Sequence, residues 1–559
     1  MQIIKSFFKF LIFILPLQTI AQSTFLPQGS DEYHYIDRTE ILKGNLSDIL
    51  FTGIKPFSRK KVIQQLSNRG KADSNEVQIL LAYPQEEKVW KNNIEWIGTK
   101  EMYYRSQHPI LKNFYTTPCN FYSVNTKDFF LSINPVLSFR AGKEMGYDKT
   151  LYLNTRGITL RGKIANKIGF SSTIMDNQER GPEFFQDQVR QLRAVPGVGF
   201  YKVFKKDSSA NDYFDGRGYV TFNATKYIDF QFGYDKNFIG NGYRSLFLSD
   251  WSNSYLFAKI NTTIWKFNYQ NLFMELTPQF KKEGDSLLKR KYAAMHHLSF
   301  NATKWLNIGL FEGVMFGRQD HFEFQYLNPV IFYRHIEGAI GSPDNAIAGI
   351  DFKANVKKRF QVYGQLLLDE FILSKIKKDP TNWVNKFGMQ LGGKYINAFG
   401  VKNLDVQLEM NRVRPFTYSH NDTINNYTHY NQPLAHPLGA NFMECIGIVR
   451  YQPFQKLVMN AHMMYYYKGL DSTGKNFGGN IFRSYNTRVG EDGYRIGFGD
   501  KLTCLNAMIN ISYELRQNLF FDLSYQFRNQ KVASLKSNEN SNAIQFGMRL
   551  NMWQRQYDF

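Results

Sequence analysis

The fold is decided by stretches such as residues 404–411, which read LDVQLEMN. Apolar and polar side chains alternate throughout this stretch, so the apolar set shares one face of an extended strand. Residues 228–235 (IDFQFGYD) and 521–528 (FDLSYQFR) repeat the scheme. A soluble antiparallel sheet would also alternate. Here, however, the polar phase carries charges and amides while the other phase stays apolar for whole strands, which is the pattern of a wall with lipid on one side.

From about residue 127 onward, nineteen segments of this kind follow one another. One of them is expected to be a loop strand or a false assignment, because single-chain bacterial barrels usually have an even number of strands. We therefore predict an all-β membrane protein, an antiparallel transmembrane β-barrel of about eighteen strands whose backbone groups are all paired inside the lipid. The segments lie near 128–140, 150–162, 163–175, 197–206, 217–225, 226–236, 254–268, 270–280, 290–302, 304–317, 346–357, 359–371, 385–396, 401–413, 440–452, 455–467, 499–512, 517–530 and 541–552.

Short and long connections alternate between these segments. Residues 222–227 (FNATKY) and 300–305 (FNATKW) are near copies, and each has the composition of a tight turn between two strands. Longer links lie at 237–253, 318–345 and 468–498. Because outer-membrane barrels keep short turns in the periplasm and long loops outside, we predict that the long links face the cell exterior and that the last strand runs inward.

The start of the chain predicts export. Two lysines, Lys5 and Lys9, flank and interrupt an apolar run that ends near Leu17, and the small residues Thr19 and Ala21 fit a signal-peptidase site. Residues 1–21 are therefore predicted to be a signal peptide, and a short membrane anchor is the alternative. An exported chain with a membrane barrel belongs in the cell outer membrane.

Between the signal peptide and the barrel (residues 127–559), residues 22–126 read differently. Apolar residues recur at helical spacing within 59–67, where Ser58 is a suitable N-cap and Gly70 a suitable stop. A second helix is predicted to begin at residue 73 or 74. We expect this partly helical segment to lie in the periplasm, under the mouth of the barrel.

Composition narrows the range of partners. The formal net charge of +21 implies acidic surroundings, such as lipid phosphates or an acidic polysaccharide, and export argues against nucleic acid. Aromatic residues make up 16% of the chain, as a lipid-facing band with aromatic girdles requires. Cys119, Cys445 and Cys504 are too few and too scattered for a disulfide framework or a zinc site. No metal and no cofactor is predicted.

The end of the sequence fits the alternation only in part. The apolar residues are even-numbered from Ile544 to Met552, whereas Trp553, Tyr557 and Phe559 are odd-numbered. A bulge or a frayed end near Met552 would reconcile the two phases. Because barrel-assembly signals prefer a terminal aromatic residue such as Phe559, the barrel-assembly machinery is a predicted partner.

The long links hold arginines, aromatics and histidines that suit an acidic glycan. A guanidinium matches the carboxylate of an acidic sugar, and an aromatic ring offers a flat apolar face to the sugar ring. The alternative is that these side chains only pack the loops together or bridge lipid phosphates. The candidate polysaccharide-binding residues are Tyr243, Arg244, Trp251, Arg318, His321, Arg334, His335, Arg414, His429 and Tyr430.

The sequence offers little that would support catalysis. Asp369 and Glu370 are adjacent on a strand and so point to opposite faces, as do His296 and His297. The sequence contains no Gly-x-Ser-x-Gly and no His-Glu-x-x-His motif. No catalytic residue is predicted, and the chain is expected to bind rather than to catalyse.

Acidic and basic side chains are predicted to face the lumen together. This mixture suits a cross-linked lumen as well as a conduit, and an eighteen-strand barrel is wide enough for an aqueous channel. A porin-like channel therefore stays an alternative. Examples of these lumen-facing residues are Asp229, Asp235, Glu312, Glu409 and Arg528.

The chain also resembles a known family. The similarity lies in a short helical start before a barrel of about eighteen strands, and in the segments 54–59 (IKPFSR), 240–246 (GNGYRSL) and 436–441 (HPLGAN). In these features the chain is similar to the Wzi-type capsule-assembly outer-membrane proteins and their gliding-associated relatives. The resemblance covers nearly the whole mature chain and implies a surface lectin that holds exported capsular or exopolysaccharide. A component of surface adhesion or gliding motility is a further alternative.

Overall fold

The computed structural model confirms a closed antiparallel barrel of eighteen strands. Each strand pairs with its neighbours in sequence, and the last pairs with the first to close the wall. The barrel strands are β1 (Phe129–Glu144), β2 (Leu151–Ile164), β3 (Ile168–Arg180), β4 (Ala210–Asn223), β5 (Ile228–Asp235), β6 (Tyr255–Ile264), β7 (Phe267–Leu276), β8 (Lys291–Asn301), β9 (Leu306–Phe316), β10 (Asn345–Val356), β11 (Phe360–Glu370), β12 (Lys386–Tyr395), β13 (Leu404–Val413), β14 (Phe442–Phe454), β15 (Leu457–Leu470), β16 (Asp500–Arg516), β17 (Leu519–Val532) and β18 (Glu539–Leu550). The structure describes residues 23–67, 88–89, 106, 109–165, 167–204, 209–280, 287–330, 332–341, 344–535 and 538–559.

Short connections follow the even-numbered strands, as the two related turns predicted. The links 224–227, 265–266 and 455–456 are tight turns at one end of the barrel, which we call the short-turn end. Long links such as 181–209 and 414–441 follow odd-numbered strands at the other end, the long-loop end.

The alternating residues face the two sides of the wall as predicted. On β13, Leu408 is 63% exposed on the outer face, whereas its neighbour Glu409 is 3% exposed inside the barrel. A soluble sheet would bury the leucine instead. The polar phase is buried because the lumen is packed with protein, and the apolar phase is left outside for lipid.

The segment 197–206 is the one candidate of the nineteen that is not a wall strand, as the even strand number required, since only Lys202–Phe204 is extended and it pairs with the first residues of β4. One detail of the prediction was wrong. Glu312 does not face the lumen. It lies on the outer face of β9, where it pairs across the sheet with His296.

The segment before the barrel folds into the short-turn end. The helix predicted over residues 59–67 is present as α2 (Arg59–Ser67), and its buried apolar residues Val62, Ile63 and Leu66 join a small core with Tyr33. The backbone N–H of Leu46 donates to the carbonyl of Lys304 in a short turn (2.7 Å). The second predicted helix, like the signal peptide, lies outside the described residues.

A further helix, α1 (Glu32–Lys43), was not anticipated. It ends at Gly44, which has a left-handed conformation (φ 70°) and donates its N–H to the carbonyls of Glu40 and Ile41. Arg38 of α1 forms an ion pair with Asp405 on the inner wall (2.9 Å), and Glu40 forms one with Lys353 (2.7 Å). The segment therefore enters the lumen rather than lying below it.

The last nine residues also enter the lumen. Strand β18 ends at Leu550, so the change of phase near Met552 marks the end of the strand and not a bulge within it. Tyr557 and Phe559 are buried against Phe185 and Val189 of α3 (Glu183–Leu192), a helix in a long-loop-end link. Residues 551–559 therefore run inside the barrel towards the long-loop end.

Two more helices lie in long-loop-end links, α4 (Tyr333–Ile340) and α5 (Leu373–Lys378). In the part of the chain that the structure describes, none of the helices has the length and apolar character needed to cross a membrane.

Candidate functional site

A cleft of about 730 Å³ opens between the links at the long-loop end. Four long links and the end of β15 contribute to it, together with Gln279 and Phe280 after β7. We call this space the outer cleft. It is lined by Gln188, Gln191, Leu192, Arg193, Trp251, Gln279, Phe280, Asn431, Pro433, Pro437, Leu438, Gly439, Lys468, Leu470, Asp471, Gly479, Asn480, Ile481 and Phe482.

Asn431 and its neighbours fasten these links to one another. The Asn431 amide donates to the carbonyls of Leu192 and Phe280 (3.0 Å each), and its side-chain oxygen accepts the N–H of Phe280 (2.9 Å). Gln432 accepts the N–H of Gly197 (2.8 Å). The floor of the outer cleft is therefore held in place by hydrogen bonds across three links.

His429 also joins neighbouring links by hydrogen bonds, below the outer cleft. Burial lowers the pKa of its imidazole to about 3, so the ring is neutral. Its Nδ1 accepts the N–H of Thr277 (3.0 Å), which leaves Nε2 to donate to the carbonyl of Ser254 (3.1 Å). His429 thus joins the links after β5 and β7, and its burial leaves a ligand no access to the ring.

Aromatic faces and exposed amides share the rim of the outer cleft. Phe280 and Phe482 are half-buried, and Phe280 packs on Tyr430 with ring centroids 4.4 Å apart. Burial raises the pKa of Tyr430 to about 12, so the ring keeps its hydroxyl proton. The exposed polar side chains around these rings are Gln191, Arg193, Gln279 and Asn480.

Trp251 stands between the outer cleft and a lumen cavity of about 370 Å³, since it lines both. Its ring packs on Phe559 (5.0 Å between centroids). The buried indole Nε1 has no hydrogen-bond partner among the described residues. Trp251 is the one residue of the predicted set that lines the outer cleft. Tyr430 packs against Phe280, which also lines the outer cleft.

The structure places three other predicted residues in the interior. The guanidinium of Arg244 lies 3.0 Å from Asp558 and 3.7 Å from Glu444. Burial lowers the pKa of Arg244, but the charges of Asp558 and Glu444 outweigh burial and hold this pKa above its ordinary value. Tyr243 donates to Asp558 (2.5 Å). Arg414 is buried and donates to the carbonyl of Asn385 (2.6 Å).

The remaining four lie in the link 317–344, away from the outer cleft. Arg318 forms a two-point ion pair with Asp344 (2.6 and 2.8 Å). His321 is exposed, and Arg334 and His335 are exposed on the first turn of α4. The predicted set is thus divided among the lumen, the packed links of the long-loop end that bury Arg414, the outer cleft and the outside of the wall.

Sequence reasoning missed most of the residues that line the outer cleft. Gln188, Gln191 and Arg193 belong to a link that was assigned in part to a strand, and Phe482 lies in a long link for which no binding residue was predicted. The alternation of short and long links could have indicated these residues, because every link at the long-loop end can reach the mouth of the barrel.

In the part of the chain that the structure describes, no group of three or more His, Cys, Asp or Glu side chains is placed to hold a metal ion. All three cysteines are free.

A closed eighteen-strand wall, apolar outside and polar inside, with long links gathered at one end, defines an integral β-barrel protein of the outer membrane. The family of the capsule assembly protein Wzi matches residues 203–555, and the chain belongs to that family. No curated protein sequence gave a significant match.

A solved structure shares this fold. The chain is similar to Wzi of Escherichia coli, an outer-membrane protein involved in group 1 capsule assembly and described as a carbohydrate-binding β-barrel, with 12% identity, a TM-score of 0.55, and coverage of 96% of this chain and 100% of that one. It is also similar to OprD of Pseudomonas aeruginosa, with 9% identity, a TM-score of 0.41, and coverage of 75% of this chain and 94% of that one.

Proposed function

We propose that this protein holds surface polysaccharide in its outer cleft, as a lectin-like component of capsule or exopolysaccharide assembly. Membership of the Wzi family and the carbohydrate binding described for the Escherichia coli protein support this function. The observation that carries it is the outer cleft itself, where aromatic faces and amides from several fastened links converge on one space.

The chemistry of the outer cleft suits a sugar chain better than a small apolar ligand. Phe280 and Phe482 offer flat faces on which sugar rings pack, and the surrounding amides can donate to and accept from hydroxyls. Arg193 is exposed at the rim and can pair with a carboxylate. With the net charge of +21, this favours an acidic polysaccharide.

The rest of the chain holds this binding site in the outer membrane. Residues 22–126 are the segment on the periplasmic side, whose described residues 23–67 enter the lumen at the short-turn end. Residues 127–559 are the barrel, whose outer face contacts membrane lipid and whose insertion depends on the barrel-assembly machinery. The protein acts by binding and not by catalysis. The alternative of an adhesion or gliding component stays a prediction, which surface motility of a strain lacking the protein would test.

The test is a double substitution, Phe280→Ala with Phe482→Ala. We expect polysaccharide isolated from the producing bacterium to bind about tenfold more weakly in calorimetry, because about 1.4 kcal/mol of lost ring packing changes Kd tenfold. The matched control is Phe399→Ala, since Phe399 is an 81% exposed phenylalanine in the link 396–403 at the short-turn end.

The heat stability of both variants is measured beside their affinity. Unchanged affinity in the double variant, or an equal loss in Phe399→Ala, would show that the outer cleft is not the glycan site.

A further inference from the structure

A polar pair lies on the outside of the barrel wall. His296 on β8 and Glu312 on β9 are cross-strand neighbours, with Nδ1 and Oε1 2.8 Å apart. His297, one residue along, points inward and meets Asp351 (2.7 Å), which fixes the outward direction of His296. Two residues below Glu312 on the same face, Leu310 is 50% exposed, as a lipid-facing residue should be.

This pair lies at the depth of the hydrocarbon. Trp265 and Trp305, both exposed in short turns, mark the lower membrane interface. Glu312 is six residues above Leu306, the first residue of β9, which places it about 15 Å above that interface for a tilted strand in an apolar band about 25 Å tall. Exposed to lipid there, a carboxylate would be costly.

The link 317–344 covers the pair from outside. The hydroxyl of Tyr333 lies 2.6 Å from Nε2 of His296, and the N–H of Tyr333 donates to Oε2 of Glu312 (3.1 Å). Above the pair, Tyr326 and Ile336 pack on outward-facing Val314 and the neighbouring aromatic residues of β7–β9. We call the described residues 317–330 and 332–341 the outer-wall loop.

The outer surface of this loop carries an apolar patch beside the exposed polar residues His321, Arg334 and His335. Phe324, Val330 and Phe332 are 76%, 82% and 74% exposed. They continue the lipid-facing belt of the adjacent wall, where Leu310 and Ile350 are each 50% exposed. The loop thus replaces the belt at the place where the wall itself carries polar groups.

The geometry points to an outer-wall loop that lies in the outer leaflet and contacts the acyl chains of the membrane lipid. It shields His296 and Glu312 from those chains and presents phenylalanine and valine in their place. Arg334, 80% exposed in its side chain, pairs with Glu337 (2.6 Å) on the next turn of α4. Its long side chain can extend upward to the lipid phosphates.

Spin labels at matched positions test this location. Val330→Cys is compared with Ile350→Cys on the wall and with Val489→Cys, which replaces a 56% exposed valine in the long link 471–499. All three variants are made in a protein without Cys119, Cys445 and Cys504. They are labelled and measured in phosphatidylcholine vesicles that contain only this protein. We expect the labels at 330 and 350 to collide several-fold more with oxygen than with a water-soluble nickel complex, and the label at 489 to show the reverse.

Two outcomes would overturn the inference. Nickel access at 330 equal to that at 489 would place the loop in water, and protection of 330 from both reagents would mean that a second copy of the chain covers it.

A second comparison needs no cysteine-free background. Val330→Asp should lower the urea midpoint of unfolding from vesicles, whereas Val489→Asp should leave it unchanged. Equal midpoints for the two variants would also contradict burial of the loop in lipid.

Discussion

Arg244 is a structural residue of the lumen. Its guanidinium is buried between Asp558 and Glu444, and removing one partner of a buried ion pair leaves the other charge uncompensated. We expect Arg244→Ala to lower the free energy of unfolding by about 3 kcal/mol. Arg334→Ala, which removes an exposed arginine, should change it by less than about 1 kcal/mol. Urea titration in vesicles measures both, and a similar small loss for the two variants would refute the structural role of Arg244.

The contrast between these arginines shows what sequence could and could not indicate about the site. Arginines and aromatics in long links have the chemistry of polar recognition, yet the pattern did not say whether a link folds inward, across the mouth or down the outer wall. Tyr243 and Arg244 fold inward because their hydrogen-bond partners, Asp558 and Glu409, lie in the lumen. Those partners lie more than 160 positions away in sequence, where no local pattern reveals them.

The segment 551–559 holds the inward link 236–254 in place. Asn506 and Gln526 of the wall donate to the carbonyl of Tyr557 (3.0 and 2.7 Å), which anchors the segment beside Asp558. We expect a variant lacking residues 552–559 to exchange the backbone amide hydrogens of residues 243–246 faster, because Tyr243 and Arg244 lose their side-chain partners. Mass spectrometry measures the exchange, and the short turn 224–227 serves as the unaffected reference. Unchanged exchange in 243–246 would show that the link is held by the wall alone.

Strands and helices differed in how far the sequence could specify them. A wall strand sees lipid on one side and protein on the other, so the alternation in β13 or β17 is imposed by its surroundings and can be read directly. Helix α1 has buried residues all round, including Glu32, Arg38 and Glu40, and therefore lacks an apolar stripe. A helix enclosed in a polar lumen has no pattern of period 3.6 to detect.

The barrel as a whole is filled from both ends. The segment 23–67 enters at the short-turn end and is tied to the wall by Arg38–Asp405 and Lys353–Glu40. The link 236–254 enters from the opposite end, and the two meet where Ile54–Lys55 pairs with Phe238–Ile239. Their meeting inside the wall leaves cavities of about 370 and 180 Å³, which share lining residues such as Gln28 and Trp553. This arrangement supports a binding protein more than a conduit.

The filled lumen makes a prediction for the intact protein in planar bilayers. An empty eighteen-strand barrel would conduct steadily, but here segments from both ends block the path, so we expect no sustained open level. The variant lacking residues 552–559 should conduct more often, since those residues line the larger cavity and support the inward link. Steady conductance of the intact protein would favour the porin-like alternative. A closed variant would mean that the segment 23–67 and the link 236–254 suffice to block the lumen.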